Sequence, residues 1–174
     1  FSSGLARNGL VPFFAVYSTF LQRSYDQLIH DVAMQNLKVI FGIDRAGFVG
    51  EDGESHQGVF DTAYLMSVPK LTVFAPASFD ELRSMMYQAV YKEKNAVAIR
   101  YPRGGEDLMP PEYKYDKSPF SVFGDTNSKK CIVTYGREFS QCYKAMEKLE
   151  DTFIIKLNKI KPISEDICDL LENA

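Results

Sequence analysis

A glycine-rich loop at residues 45–58 places acidic side chains beside a histidine. The acids are Glu51, Asp52 and Glu54, and the histidine is His56, whose imidazole is a common acid–base group. Glycines in the loop let the backbone adopt positive φ and approach a ligand closely. The spacing fits neither a calcium-binding loop nor the HExxH zinc motif, so we expect no metal ligands here. A solvated surface turn is the alternative, although the loop exceeds the usual ~2–6 residues of a strand-to-helix connection.

Arginines stand at the ends of two predicted strands. Arg45 directly follows the strand predicted at 38–44, while Arg100 and Arg103 lie at the end of the strand predicted at 96–100. Because the carboxyl ends of parallel strands meet at one sheet edge, we expect these guanidinium groups to converge. Their planar fork suits phosphate oxygens, which indicates a phosphate-bearing small molecule as ligand. For Arg100, pairing with a neighbouring acid is the alternative.

Strand-like and helix-like segments alternate along the chain, which is typical of a parallel α/β sheet flanked by helices. Apolar runs predict strands at 11–17, 38–44, 71–75, 96–100, 130–135 and 152–156. Apolar residues at three- and four-residue steps predict helices at 20–36, 59–66, 80–91, 138–149 and from 164 onward. Pro, Gly and charged residues at 104–119 indicate an interdomain linker.

Length and charge limit the number of domains and exclude some classes of binding partner. At roughly 100–200 residues per domain, 174 residues predict one domain and part of another, and both ends of the chain look cut. A net charge of −3 without a basic block argues against binding to nucleic acid or to an anionic membrane. The apolar stretch at 10–16 is far shorter than the ~20 residues of a membrane span, and no secretory signal precedes it. Cysteines without a CxxC pair predict reduced thiols, and we expect a cytoplasmic protein.

Three longer motifs stand out in the chain: AVYSTFLQRSYDQLIHDVA at 15–33, DRAGFVGEDGESHQGVFD at 44–61 and IRYPRG at 99–104. Together they resemble the 1-deoxy-D-xylulose-5-phosphate synthase family. Ser55 departs from the usual Thr of the family but keeps the hydroxyl. This is a transketolase-like transferase family that uses thiamine diphosphate. Its members join pyruvate to glyceraldehyde 3-phosphate with loss of CO2, in isoprenoid and thiamine precursor synthesis.

The resemblance implies how the chain is divided. It indicates a transketolase-like pyrimidine-binding domain at 1–104 that lacks its N-terminal end, a linker at 105–119, and the truncated start of a transketolase C-terminal domain at 120–174. Thiamine diphosphate, Mg²⁺ and a homodimer are implied for the parent enzyme. The GDG-type motif and downstream Asn, which hold the diphosphate and Mg²⁺ in the family, do not occur in this sequence. We therefore expect those sites to be absent and the chain alone to be inactive.

The resemblance also implies cofactor-binding residues. Phe20 would stack on the aminopyrimidine, with Tyr17 lining the site and Arg23 nearby. Each has a structural alternative, because aromatic residues are mostly buried for packing and an arginine on a helix surface commonly forms a weak ion pair.

The remaining implied roles concern the substrates. Arg45 and Arg103 would hold the phosphate of the aldehyde, Asp52 would hydrogen-bond a substrate hydroxyl, and His56 would act catalytically in proton handling. A transketolase-type enzyme acting on sugar phosphates is an alternative, but the DRAG start of the loop argues against it. Another alternative is a split, non-catalytic subunit or binding module that needs a partner chain.

Overall fold

The computed structural model describes residues 1–172, in which the strands form two sheets. The strands are β1 (Phe13–Tyr17), β2 (Ile40–Asp44), β3 (Thr72–Phe74), β4 (Val97–Arg100), β5 (Phe120–Phe123), β6 (Lys130–Tyr135), β7 (Thr152–Leu157) and β8 (Lys159–Lys161). The first sheet has the order β1-β2-β4-β3-β8, and all its strands are parallel except β8, which runs antiparallel to β3. The predicted α/β fold with a parallel sheet is confirmed.

The inner strands of the first sheet are mostly apolar because helices cover both faces. Alternate residues of β4 show this, since Val97 and Ile99 pack with Met85 on one face while Ala98 belongs to the core on the other. Leu65 is buried in that second core. Burial from both sides fixes β2 and β4 in the middle of the sheet and leaves their carboxyl ends free to carry polar side chains.

The helices that accompany this sheet are Ser2–Arg7, an irregular helix at 18–33, Asp61–Ser67 and Phe79–Tyr91, and the loop after β2 contains the short 3₁₀ helices Gly50–Asp52 and Glu54–His56. The segment at 18–33 replaces the regular helix predicted at 20–36, because a 3₁₀ turn (Gln22–Ser24) and a π-helical stretch (Leu28–Ala33) interrupt it. The other two predicted helices form within two residues of their expected starts. Ser2–Arg7 was not predicted, and it buries no residue that would produce an apolar stripe.

The second sheet has the order β5-β7-β6, with β6 parallel and β5 antiparallel to β7. Helices Glu138–Met146 and Glu165–Glu172 accompany it. The sequence did not predict β5 or β8, which are four and three residues long and depend on pairing with distant strands. Since β8 pairs with β3, it links the later part of the chain to the first sheet. Within residues 1–172, none of the helices combines the length and the apolarity that crossing a membrane requires.

A buried polar network also joins the two parts. Lys156 on β7 and Glu81 in the helix Phe79–Tyr91 are both fully buried, with 2.7 Å between Nζ and Oε1. Tyr113 donates a 2.6 Å hydrogen bond to the same carboxylate oxygen, and Asn158 accepts one from Lys156. Burial lowers the pKa of Lys156, and the Glu81 carboxylate opposes that change. Removing one partner would leave a buried charge uncompensated, so the network holds the two sheets in one relative position.

Candidate active site

The loop after β2 folds back on itself at the carboxyl edge of the first sheet. Gly47 and Gly58 exchange two backbone hydrogen bonds of 2.8 Å, which close the loop at its base. A Cβ atom on Gly58 would lie 2.0 Å from the carbonyl oxygen of Arg45, so only glycine fits there. Arg45 itself adopts φ of 58°, a left-handed conformation that turns the chain out of the strand. The glycines therefore bring the acidic part of the loop back over the sheet edge.

Asp52 joins two arginines that lie far apart in the sequence. Its carboxylate oxygens lie 3.1 Å from Nε of Arg45 and 3.4 Å from Nε of Arg103. Asp52 is the least exposed of the three, at 19% of its side chain, and Arg103 the most exposed, at 38%. The structure thus brings these three predicted substrate-binding residues into one partly open cluster.

Further carboxylates complete the pairing of both guanidinium groups. Asp44 lies 2.6 Å from Arg45, and Glu51 lies 2.8 Å from Arg103. The hydrogen bond that Arg45 donates to Asp52 raises the pKa of Arg45, and the one that Arg103 donates to Glu51 raises the pKa of Arg103. Both arginines therefore stay cationic, and each is held from more than one side.

An aromatic cluster adjoins these charges. The rings of Tyr17 and Phe20 stack at 5.7 Å with an interplanar angle of 10°, and the His56 ring meets Phe20 edge-on at 5.2 Å. The guanidinium carbon of Arg45 lies 4.3 Å from the centroid of the Tyr17 ring. Ser55 Oγ lies 3.0 Å from Nδ1 of His56, which orients the imidazole. Phe20 is 41% exposed, so the stack is not simply part of the core.

The structure does not bring Arg23 to this cluster. It lies exposed in the 3₁₀ turn Gln22–Ser24. Within residues 1–172, it takes part in none of the ion pairs and ring contacts that connect the other predicted site residues.

Arg100 forms a structural ion pair and does not join the cluster of Arg45, Asp52 and Arg103. Its guanidinium donates hydrogen bonds of 2.9 and 3.2 Å to the two carboxylate oxygens of Asp61, which is fully buried. The ring of Tyr135 lies 5.3 Å from the guanidinium carbon. The alternative interpretation of Arg100, as the partner of a neighbouring acid, is confirmed.

A cleft of about 320 Å³ opens beside the cluster and is lined by three arginines. Two of them, Arg45 and Arg103, were predicted from the sequence, and the third is Arg137. Arg137, which follows β6, was not predicted from the sequence, although the rule that ligands bind beyond the carboxyl ends of strands applies to that strand as well. Among residues 1–172, no group of three or more His, Cys, Asp or Glu side chains is arranged to hold a metal ion.

Comparisons with known proteins support the assignment of the fold. Residues 1–105 match the family model of the transketolase pyrimidine-binding domain. Solved structures of similar fold include a "Split gene transketolase, inactive beta4 tetramer" (TM-score 0.82, 24% identity, 99% of this chain and 57% of that one). Another is the transketolase of Campylobacter jejuni (TM-score 0.78, 19% identity, 99% of this chain and 27% of that one).

Curated relatives are more similar in sequence. The chain is 65% identical over 98% of its length to 1-deoxy-D-xylulose-5-phosphate synthase of Chlorobaculum tepidum, and it covers 28% of that protein. It is 44% identical over 95% of its length to the synthase of Clostridium tetani, covering 27% of that protein. The chain therefore spans little more than a quarter of the length of these relatives.

Proposed function

The chain belongs to the transketolase pyrimidine-binding domain family, and from this premise we propose that it forms part of a 1-deoxy-D-xylulose-5-phosphate synthase. The reaction would join pyruvate to glyceraldehyde 3-phosphate with release of CO2. One observation carries the proposal: the Arg45–Asp52–Arg103 cluster lies directly beside the Tyr17–Phe20 stack. Guanidinium groups suited to a phosphate thus lie next to a pair of stacked rings, which supports a reaction between a cofactor-bound group and a phosphorylated aldehyde.

Arg45 and Arg103 are assigned to the phosphate of the aldehyde. Two cationic guanidinium groups on a shared carboxylate present several N–H donors to one point, and planar forks match phosphate oxygens. Asp52 keeps the two groups together and is also assigned to a substrate hydroxyl. When phosphate enters, Glu51 is the carboxylate that it would displace most easily, because that side chain is 84% exposed.

Tyr17 and Phe20 are assigned to the aminopyrimidine of thiamine diphosphate. The nearly parallel rings, of which Phe20 is exposed and Tyr17 half-buried, fit a planar heterocycle, which supports the assignment of this part of the cofactor to this chain. The bound cofactor would supply the carbanion chemistry of the reaction. His56, in edge contact with Phe20 and hydrogen-bonded to Ser55, would hold or move a proton next to the reacting carbonyl group. Arg23 would contact the cofactor only if its exposed side chain turned toward the stack.

Binding of the diphosphate and Mg²⁺ is assigned to residues outside this chain. The complete reaction therefore needs those residues as well as the ones described above. We propose the division into a pyrimidine-binding domain at 1–104, a linker at 105–119 and a C-terminal domain beginning at 120. The chain covers 28% of the synthase of Chlorobaculum tepidum, so we expect the 174 residues alone to form no product.

A homodimer and a cytoplasmic location complete the proposal. Phe13 and Phe14 are exposed on β1, which is an edge strand of the first sheet, and Leu10 and Val11 just before it are exposed as well. An apolar sheet edge of this kind is typical of a surface that another subunit covers. The cysteines of the described residues are free thiols, as expected in a reducing compartment.

The experiment uses the full-length protein that contains this sequence, supplied with thiamine diphosphate, Mg²⁺, pyruvate and glyceraldehyde 3-phosphate. We expect 1-deoxy-D-xylulose 5-phosphate as product. Arg45→Gln and Arg103→Gln should each raise KM for the aldehyde by about tenfold or more, because each removes a charge-assisted bond to the phosphate. Arg83→Gln is the matched control, since Arg83 forms only an exposed pair with Asp80.

Two outcomes would contradict the proposal. One is transfer between sugar phosphates without use of pyruvate, which is a transketolase activity. The other is KM values for glyceraldehyde 3-phosphate that Arg45→Gln and Arg103→Gln leave at the level of Arg83→Gln.

A further inference from the structure

Arg137 connects the second sheet to the segment that follows β4. It stands just after β6, and its guanidinium forms a two-pronged ion pair with Asp107, with Nε–Oδ2 and Nη2–Oδ1 distances of 2.7 and 3.4 Å. Its Nη1 donates a 3.2 Å hydrogen bond to the backbone carbonyl oxygen of Arg103. A single side chain thus holds both ends of the segment 103–107.

This segment needs such an anchor. Gly104 has φ of 106°, a conformation that other residues rarely adopt, and a Cβ atom added to Gly105 would have no contact within 4 Å. Two consecutive glycines leave the backbone beside Arg103 with few intrinsic restraints. The position of the Arg103 guanidinium in the cleft therefore depends on contacts made from outside the segment.

We propose that Arg137 is a positioning residue for the phosphate site, which fixes the backbone of Arg103 and so sets where its guanidinium meets the substrate. This inference rests on the proposed assignment of Arg45 and Arg103 to phosphate. Arg137 lines the same cleft, but its charge is offset by Asp107, so its main contribution is geometric. Through it, the docking of β6 against the first sheet controls the affinity for a phosphorylated substrate.

The charges around Arg137 agree with this role. The Asp107 hydrogen bond raises the pKa of Arg137, and the reciprocal contact lowers the pKa of Asp107. The pair is thus ionised at neutral pH. Glu138 adjoins Arg137 in the chain and also favours its charged form. The anchor is consequently present at neutral pH, where phosphate is charged.

The test is a titration of the full-length protein that contains this sequence with inorganic phosphate, measured by calorimetry. We expect the unsubstituted protein to bind phosphate and Arg45→Gln or Arg103→Gln to weaken that binding, and no binding at all would contradict the proposal. Arg137→Gln should weaken phosphate binding by about tenfold, and Asp107→Asn should weaken it by a similar factor. The double variant should be no weaker than the single ones, since both act through one anchor. Arg137→Lys, which keeps a donor for the Arg103 carbonyl, should restore part of the affinity.

The control is Arg83→Gln, which removes an equal charge from an exposed ion pair. The proposal is overturned if Arg137→Gln binds phosphate within twofold of the unsubstituted protein, or if Arg83→Gln weakens binding equally. If Arg137→Gln does not fold, Asp107→Asn provides the test, because it removes the other partner of the same ion pair. The proposed function is tested separately, by product formation in the full-length enzyme. If no product forms but Arg137→Gln still weakens phosphate binding, only the proposed function is rejected.

Discussion

Arg45 lies over the ring of Tyr17, with 4.3 Å between the guanidinium carbon and the ring centroid. This contact connects the assigned phosphate site to the aromatic stack. A cation above a ring face is attracted by its quadrupole, so the contact helps to hold Arg45 where its donors face the cleft.

Replacing Tyr17 tests this contact. Tyr17→Leu should raise KM for glyceraldehyde 3-phosphate in the full-length enzyme by about fivefold, because the ring that holds Arg45 is lost. Tyr17→Phe keeps the ring and should remain within about twofold. Steady-state kinetics measures both, and equal KM values for the two variants would show that the ring face does not matter.

Glu51 is expected to compete with the substrate for Arg103. The carboxylate is 84% exposed and lies 2.8 Å from that guanidinium. Glu51→Gln should therefore strengthen binding of inorganic phosphate by about twofold, the size typical of an exposed ion pair. Glu54→Gln removes an exposed charge from the same loop and serves as the control. Weaker binding by Glu51→Gln, measured by titration calorimetry, would instead indicate that Glu51 orients Arg103.

Gly58 should tolerate no side chain. Its added Cβ atom would lie 2.0 Å from the Arg45 carbonyl oxygen and 2.8 Å from Cβ of Ser18, and backbone cannot move aside as a flexible side chain can. We expect Gly58→Ala to lower the free energy of unfolding by about 2 kcal/mol. Gly105→Ala, where no atom lies within 4 Å, is the control and should change it little. Urea denaturation compares the two.

The Arg100–Asp61 pair should matter for stability. Asp61 is fully buried, and Arg100 is only 11% exposed. Asp61→Leu leaves the guanidinium unpaired and should cost about 3 kcal/mol or more in the free energy of unfolding. The double variant Asp61→Leu/Arg100→Met should recover most of that loss, since no uncompensated charge remains. If the double variant is as unstable as the single one, packing and not charge determines the effect.

Alkaline pH should destabilise the fold through Tyr113. Burial, followed by the nearby Glu81 carboxylate, raises the pKa of this phenol. In the unfolded chain the phenol of Tyr113 ionises at about pH 10, whereas in the folded state it keeps its proton above that value. Stability is therefore lost as pH rises above about 10. The free energy of unfolding should therefore fall more steeply above pH 10 in the unsubstituted chain than in Tyr113→Phe. Parallel slopes in urea denaturation from pH 9 to 11 would contradict this assignment.

The local pattern of the sequence was enough to predict most of the fold and the centre of the site. Apolar runs predict a strand by burial alone, so β2, β4, β6 and β7 were found within about two residues of their bounds. The glycine-rich loop and the arginines after β2 and β4 were identified because a parallel sheet gathers the ends of its strands at one edge.

Only the tertiary structure decided which charged groups pair. Arg100 and Arg103 are three residues apart, yet one is tied to buried Asp61 and the other opens into the cleft. The sequence contains no local signal for that difference, because it depends on which face of the strand end the Asp61 helix covers. The same holds for the anchor from Arg137, whose partners lie 30 and 34 residues away in the chain. Periodicity reports burial along one segment, whereas a binding site is defined by contacts between segments, and those exist only once the sheets have packed.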